Sequence, residues 1–273
     1  MKQGCLGSLF HYERLRFMEI QKINIRGVYF ANVTMDEAAA YVEERLLRGE
    51  TTAIYTPNPE IVQMCIENEA FYETVNSAEL IVPDGIGVVK ASKILKTPLK
   101  QKVAGVELGE RVLDIAARNG KGVYLFGGKD ASRTESGIGV ADQCIPVFEK
   151  KFPGIIVSGT RDGYCKKDGE ENEETIRLIN ESGAEILFVC LGAPLQEKWI
   201  HENRSKLPNV KVYLGLGGSL DVYSGNVKRA PKLFIKLGLE WFYRLLCEPK
   251  RIGRMMKLPK FYFGTWIYKL KKK

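Results

Sequence analysis

Ile81-Val82-Pro83-Asp84-Gly85-Ile86-Gly87-Val88 is the stretch on which the reading of this chain turns. An apolar strand end runs into Pro-Asp-Gly, and a helical pattern follows. A turn in that position holds its carboxylate at the mouth of an α/β sheet, where ligands bind. The glycines allow close approach to the backbone, and a helix starting here offers free N–H groups to anions. Asp84 is therefore the first candidate for a catalytic base. Taken alone, the stretch is read more simply with Asp84 as a helix N-cap.

Outward from it, strands and helices alternate. Residues 23–30 read as a strand or hairpin, and Thr34-Met35-Asp36-Glu37 is a capping box that opens a helix ending near Gly49. Strands are predicted over 51–56, 79–82, 122–126, 155–158, 185–191 and 210–214. Helices are predicted over 59–68 (continuing or restarting to 77), from the Asp84 turn to about 95, and over 107–119, 136–152, 170–182 and 195–207. Continuous apolar strands between amphipathic helices predict an α/β fold, a Rossmann-like, mostly parallel sheet with helices on both faces. Right-handed crossovers then bring the loops after the strands to one rim.

Five of those loops carry glycine, amide or carboxylate chemistry: Thr56-Pro57-Asn58-Pro59-Glu60, Pro83-Asp84-Gly85, Gly127-Gly128-Lys129, Leu191-Gly192-Ala193-Pro194-Leu195-Gln196-Glu197 and Gly215-Leu216-Gly217-Gly218-Ser219. None is a G-x-G-x-x-G or a Walker A loop, so nothing specific points to NAD or ATP. Each glycine pair alone is ordinary turn chemistry. The polar, Gly-containing run 130–139 reads as a surface insertion.

The 273-residue chain is long enough for one large domain or a domain with an appendage. Its charge is unevenly placed: residues 228–273 carry +12 and residues 1–227 carry −4. A basic tail of this kind suits membrane headgroups, nucleic acid or a phosphorylated substrate. The tail interleaves Lys and Arg with Phe234, Trp241, Phe242, Phe261, Tyr262, Phe263, Trp266 and Tyr268, as does a helix lying in a membrane interface. A helix packed on the body with its basic face solvated uses the same residues. Residues 1–17 fit neither pattern and read as an N-terminal extension or a misplaced start; 18–227 form the catalytic body and 228–273 the basic appendage.

Six scattered cysteines with no C-x-x-C pair read as reduced thiols, and two histidines make a His-based metal site improbable. No apolar run reaches the roughly 18–20 residues of a membrane span, and residues 6–17 lack a signal peptide's apolar core. A cytoplasmic protein is expected.

Assembled, these loops resemble the WecG/TagA/CpsF glycosyltransferase family. The likeness is carried by Thr56-Pro57-Asn58-Pro59-Glu60-Ile61-Val62, Pro83-Asp84-Gly85-Ile86-Gly87-Val88, Lys102-Val103-Ala104-Gly105-Val106-Glu107-Leu108, Leu191 through Glu197, and Gly217-Gly218-Ser219-Leu220-Asp221. It continues through Arg229-Ala230-Pro231, Gly238 to Leu245 and Glu248-Pro249-Lys250-Arg251, and spans about 19–263 in order. The resemblance implies an inverting transferase that moves an N-acetylmannosamine-type sugar from UDP to polyprenyl-diphosphate-linked N-acetylglucosamine. The reaction would take place on the inner membrane face, as in teichoic acid linkage-unit synthesis. It also implies no cofactor and no divalent metal, and no Asp-x-Asp pair stands in a suitable loop.

Carried over by position, the resemblance implies Asp84 as the base that deprotonates the acceptor hydroxyl, which reverses the balance between base and cap. Thr56 and Asn58 would line the sugar and acceptor pocket, with Gln196 at the donor. Arg244, Arg251 and Arg254 would close over the site and hold the diphosphate, Arg251 in a catalytic role. Inversion needs a base behind the anomeric carbon and charge stabilisation for the leaving diphosphate, and guanidinium forks supply the latter without a metal. Two positions depart from the family pattern: Lys102 stands where Arg is frequent and Glu107 where Asp is. Lys102 keeps the charge of a phosphate-binding residue but not the bidentate geometry, and either residue also suits an ordinary surface ion pair.

The expected partners are thus a UDP-sugar, a polyprenyl-diphosphate acceptor and an anionic membrane surface, with no nucleic acid. Apolar surface shared by tail and body supports either membrane docking or a homo-oligomer. UDP-glucose or a UDP-uronate as donor, in exopolysaccharide or capsule synthesis, keeps the same mechanism. A non-catalytic membrane- or nucleic-acid-binding module is the alternative from another class.

Overall fold

The computed structural model describes residues 20–231, 234, 240–247 and 252–271. The segment 1–17, read from sequence as an extension, lies outside the described residues. The chain opens with an antiparallel hairpin, β1 (Lys22–Ile25) and β2 (Val28–Ala31). Its two-residue turn is Arg26-Gly27, both at positive φ (54° and 101°), the geometry that matches strand twist. Helix α1 (Met35–Leu47) then starts on the expected capping box. Thr34 Oγ1 accepts from the Glu37 N–H, and the Glu37 carboxylate accepts from the Thr34 N–H.

The main sheet has six parallel strands: β3 (Thr52–Tyr55), β4 (Leu80–Ile81), β5 (Gly122–Gly127), β6 (Ile156–Arg161), β7 (Ile186–Cys190) and β8 (Val212–Gly215), in the order β4-β3-β8-β7-β5-β6. This is the α/β architecture expected from the alternation. Strand period two divides the core: Ala53, Tyr55, Tyr124, Phe126, Leu187, Val189 and Tyr213 face one layer, Ile54, Val123, Leu125, Ile186, Phe188, Val212 and Leu214 the other.

The first layer contains α2 (Pro59–Glu67), α3 (Glu69–Asn76), α4 (Ile86–Ile94), α7 (Gly169–Glu181) and α8 (Leu195–Asn203). The second contains α1, α5 (Gly105–Arg118), α6 (Val140–Lys151) and α9 (Ser219–Tyr223). Of the two readings open for 59–77, the chain restarts: Asn68 leaves helical geometry and its side chain caps α3 at the Phe71 N–H. The run 130–139 is a mostly exposed turn, and α6 begins after it, at Val140.

At the C-terminal end are α10 (Glu240–Cys247), α11 (Ile252–Met255) and α12 (Lys257–Lys271). Pro259 is tolerated because it falls in the first turn of α12, where backbone N–H groups lack intrahelical partners anyway. Helix α12 packs on α2 and α4 through fully buried Phe261 and Thr265. The Arg26 guanidinium donates to the Phe261 carbonyl at 3.3 Å and occupies the space a Cβ at Gly264 would need. Phe263, Trp266, Ile267 and Leu270 line a different face of α12 and are exposed. The helix thus packs on the body through one face and leaves an apolar stripe exposed on another. Among the described residues, no helix is long and apolar enough to cross a membrane.

Candidate active site

Strands β3 and β8 are neighbours, yet the helices that follow them leave to opposite layers: α2 to the first, α9 to the second. In open α/β sheets, the strand C-termini beside such a divergence are the usual ligand position. Thr56, Asn58 and Asp84 stand on the loops that follow β3 and β4 at this end, and Gln196 in the first turn of α8, just past the loop that follows β7.

Three interactions stitch these loops together. The Asp84 N–H donates to the Pro57 carbonyl at 3.2 Å, joining the loops after β4 and β3. The Val103 N–H donates to the Pro83 carbonyl at 2.9 Å, which draws the segment before α5 onto the same turn. Thr56 Oγ1 donates to the Gly215 carbonyl at 3.2 Å, linking the ends of β3 and β8. Thr56 is buried, and a Cβ at Gly105 would lie only 2.9 Å from its Oγ1; α5 can start this close to it because residue 105 is glycine.

Asp84 is half-buried and does not cap α4; the N-cap is Gly85, at φ 85°, with no side-chain capping bond. The aspartate is thus carried by the turn rather than used by the helix. Asn58 is the N-cap of α2, its Oδ1 accepting from the Ile61 N–H at 3.1 Å. Capping fixes the orientation of that amide.

Gln196 is almost fully buried. Its Oε1 accepts from the Gly192 N–H (3.2 Å) and the Gly217 N–H (2.7 Å), tying the loop after β7 to the loop after β8. Its Nε2 donates to Glu197 Oε1 at 2.8 Å. Glu197 is 1% exposed, its Oε2 has no hydrogen-bond partner, and burial pushes the carboxyl up to about 7. The sequence reading quoted Glu197 within its motif and gave it no role. A lone Glu in the first turn of a helix looks like dipole compensation, and only the packing of Tyr55, Cys65 and Trp199 in the same layer reveals its burial.

Lys102 and Glu107, the two departures from the family pattern, both form ion pairs with residues beyond 227. Lys102 Nζ lies 3.3 Å from Glu240 Oε2, and Arg229 pairs with Glu107. A third contact reaches the Asp84 turn from α12. The Tyr262 hydroxyl would be 3.1 Å from a Cβ at Gly87, in the first turn of α4. None of these is visible in local pattern, since the partners are more than a hundred residues apart.

Of the three arginines assigned to the diphosphate, Arg251 lies outside the described residues. Arg244 and Arg254 fall on described backbone in α10 and α11, and their side chains lie outside the description. Cys65, Cys144, Cys165 and Cys190 are free thiols, and burial pushes those of Cys65 and Cys144 up to about 12, as inert core groups.

Fold and rim together describe an α/β enzyme whose polar loops meet where the helices after neighbouring parallel strands part to opposite layers. The chain belongs to the glycosyl transferase WecG/TagA/CpsF family, whose model matches residues 23–273, and it is therefore a transferase acting on a sugar. It is similar to the N-acetylglucosaminyldiphosphoundecaprenol N-acetyl-beta-D-mannosaminyltransferase of Bacillus spizizenii, 41% identical over 238 residues (87% of this chain, 88% of that protein). Proteins of the same name from Staphylococcus aureus and Bacillus subtilis are 38% identical over 256 residues (92% and 94% covered) and 34% identical over 243 residues (89% and 90% covered).

Proposed function

We propose that this glycosyltransferase moves N-acetylmannosamine from its UDP conjugate to the 4-hydroxyl of GlcNAc-diphospho-undecaprenol, with inversion and without a divalent metal. The reading takes its substrates from the names of the relatives, and its product would be the disaccharide of a teichoic acid linkage unit. The observation that carries it is the gathering of Thr56, Asn58, Asp84 and Gln196 at the C-terminal ends of β3, β4, β7 and β8.

In this reading Asp84 is the general base, raised on a turn that leaves helix capping to Gly85. Thr56 and Asn58 hold the sugar and acceptor. Gln196 braces the two loops that meet the donor. Lys102 lies at the entrance to α5 and contributes charge toward the diphosphate, together with Arg244, Arg251 and Arg254. Within the proposed appendage, 228–273, the described Glu240 and Arg229 pair with Lys102 and Glu107, and α12 packs on α2 and α4.

The exposed stripe Phe263, Trp266, Ile267 and Leu270 supports peripheral attachment to the inner face of the cell membrane, where the lipid-linked acceptor resides. The test is transfer by the purified chain from UDP-N-acetylmannosamine to a short-chain GlcNAc-diphospholipid, with UDP-glucose alongside. Disaccharide-lipid from the mannosamine donor alone is the expected result. Product only from UDP-glucose would move the chain to a capsule-type donor, and absence of product from both would overturn the reading.

A further inference from the structure

A groove of about 390 Å³ runs along the flank of α12, walled by β1, the C-terminal end of α4 and α12 itself. Three of its lining residues are Lys22, Lys96 and Lys269, each from a different element, and none is Asp or Glu. Among the described residues, none of the three lysines has a carboxylate within ion-pair distance. Three ammonium groups around one concavity raise its potential and favour an anion within it.

Lys96 adds a second observation. It follows the C-cap of α4 at φ 63°, a position that glycine usually fills and that a lysine adopts only against steric resistance. Compensation of the helix dipole does not require it, because Lys93 already stands in the last turn.

The third observation identifies the kind of anion. Lys269 Nζ sits 4.8 Å from the centroid of Trp266, so the cationic wall borders directly on the exposed stripe Phe263, Trp266, Ile267 and Leu270. A site with ammonium groups on one side and an uncovered apolar stripe on the other matches a ligand that is anionic at one end and apolar at the other. We infer that this groove binds the phosphate of an anionic phospholipid headgroup, with Lys22, Lys96 and Lys269 around it and the stripe of α12 in the bilayer interface. The inference rests on the membrane attachment proposed above and extends it, since Lys22 and Lys96 lie in the body rather than in the basic tail.

The test is vesicle binding by the full-length chain, comparing phosphatidylglycerol-containing with pure phosphatidylcholine vesicles. Lys22→Gln and Lys96→Gln should each weaken binding to the anionic vesicles by about fivefold, and the double variant by about 25-fold, without altering the weaker binding to phosphatidylcholine. Lys150→Gln makes the same charge change on α6, in the opposite layer, and should stay within roughly twofold of the unaltered chain. An equal loss in Lys150→Gln, or no loss in the double variant, would overturn the groove. So would displacement by sodium phosphate that exceeds the effect of sodium chloride at matched ionic strength, because the site would then belong to a soluble phosphate compound. Transfer to a short-chain acceptor without vesicles separates this inference from the proposed function. Groove-dependent binding by a chain that transfers no sugar would support the groove and sink only the assigned reaction.

Discussion

Gln196 Nε2 donates to Glu197 Oε1 at 2.8 Å, so the residue that braces the loops after β7 and β8 is itself held by a buried carboxyl one position along. Removing the amide would leave the Gly192 and Gly217 N–H groups and the carboxyl without this partner. Gln196→Ala should cost about 2–4 kcal/mol of stability, from unsatisfied buried polar groups at about 1–3 kcal/mol each. It should also weaken donor binding by releasing the two loops. Urea unfolding and UDP-sugar titration check both parts; unchanged stability with lost binding would make the amide a ligand contact alone.

Glu197 makes a prediction about pH. Its folded carboxyl is pushed up to about 7 by burial, from 4.5. The folded state then holds a proton that the unfolded state releases, so stability is full below about 4.5 and falls as pH rises toward 7. At about 1.4 kcal/mol per pH unit the loss across that window is on the order of 3 kcal/mol. Glu197→Gln should abolish this component. Its stability relative to the unaltered chain should climb between pH 4.5 and 7, and parallel curves would show that the carboxyl keeps an ordinary pKa.

Asp84→Asn should lower kcat by roughly two to four orders of magnitude, the range of general-base contributions. The fold should be retained, because Gly85 provides the N-cap position and the stitch to Pro57 uses the backbone N–H of residue 84. UDP-sugar binding should survive. Normal turnover would remove Asp84 from the role of base.

Gly87→Ala should disturb both stability and transfer. The added methyl would run into the Pro59 ring and come within 3.1 Å of the Tyr262 hydroxyl, forcing α4, α2 or α12 to shift. Overpacking of this kind costs about 1–3 kcal/mol. Thermal unfolding and the transfer rate should both fall, and pairing the change with Tyr262→Phe should restore part of the loss. An unaltered melting temperature would show that the contact is easily relieved.

The Lys102–Glu240 pair separates a tether from a ligand. Both side chains are about a fifth exposed (22% and 21%), so the ion pair itself should contribute only about 0.5–1 kcal/mol in a double-mutant cycle. If Lys102 also meets the diphosphate, Lys102→Ala should reduce kcat/KM well beyond Glu240→Ala. Equal effects would leave Lys102 as a link between body and C-terminal segment.

Much of the fold was legible in the chain because it depends on short-range rules. Thr34 and Glu37 cap one another across a single turn, and the Arg26-Gly27 hairpin needs only its neighbouring strands. The stretch around Asp84 alone reads more simply as an N-cap, and only the family resemblance favours a base; the structure puts the cap at Gly85. Helix α6 starts at Val140 rather than at the residue 136 that the pattern predicts. Thr134 and Ser136 turn their hydroxyls to local backbone instead of starting a helix, a competition that composition alone does not resolve.

The sequence by itself determined the parallel α/β sheet, the rim of polar loops and the family, because hydrophobic period, capping residues and ordered motifs are properties of neighbours along the chain. Only the tertiary structure decided that Gln196 is a buried brace, that Glu197 lies in the core, and that Lys102 and Glu107 are occupied by Glu240 and Arg229. It also decided which face of α12 turns inward. The physical reason is common to all four. Burial and charge pairing depend on which surfaces meet in space, from 21 positions apart for Gln196 and Gly217 to 138 for Lys102 and Glu240, and a side chain's local pattern is the same whether the surface opposite is water, a carboxylate or a hydrophobic wall.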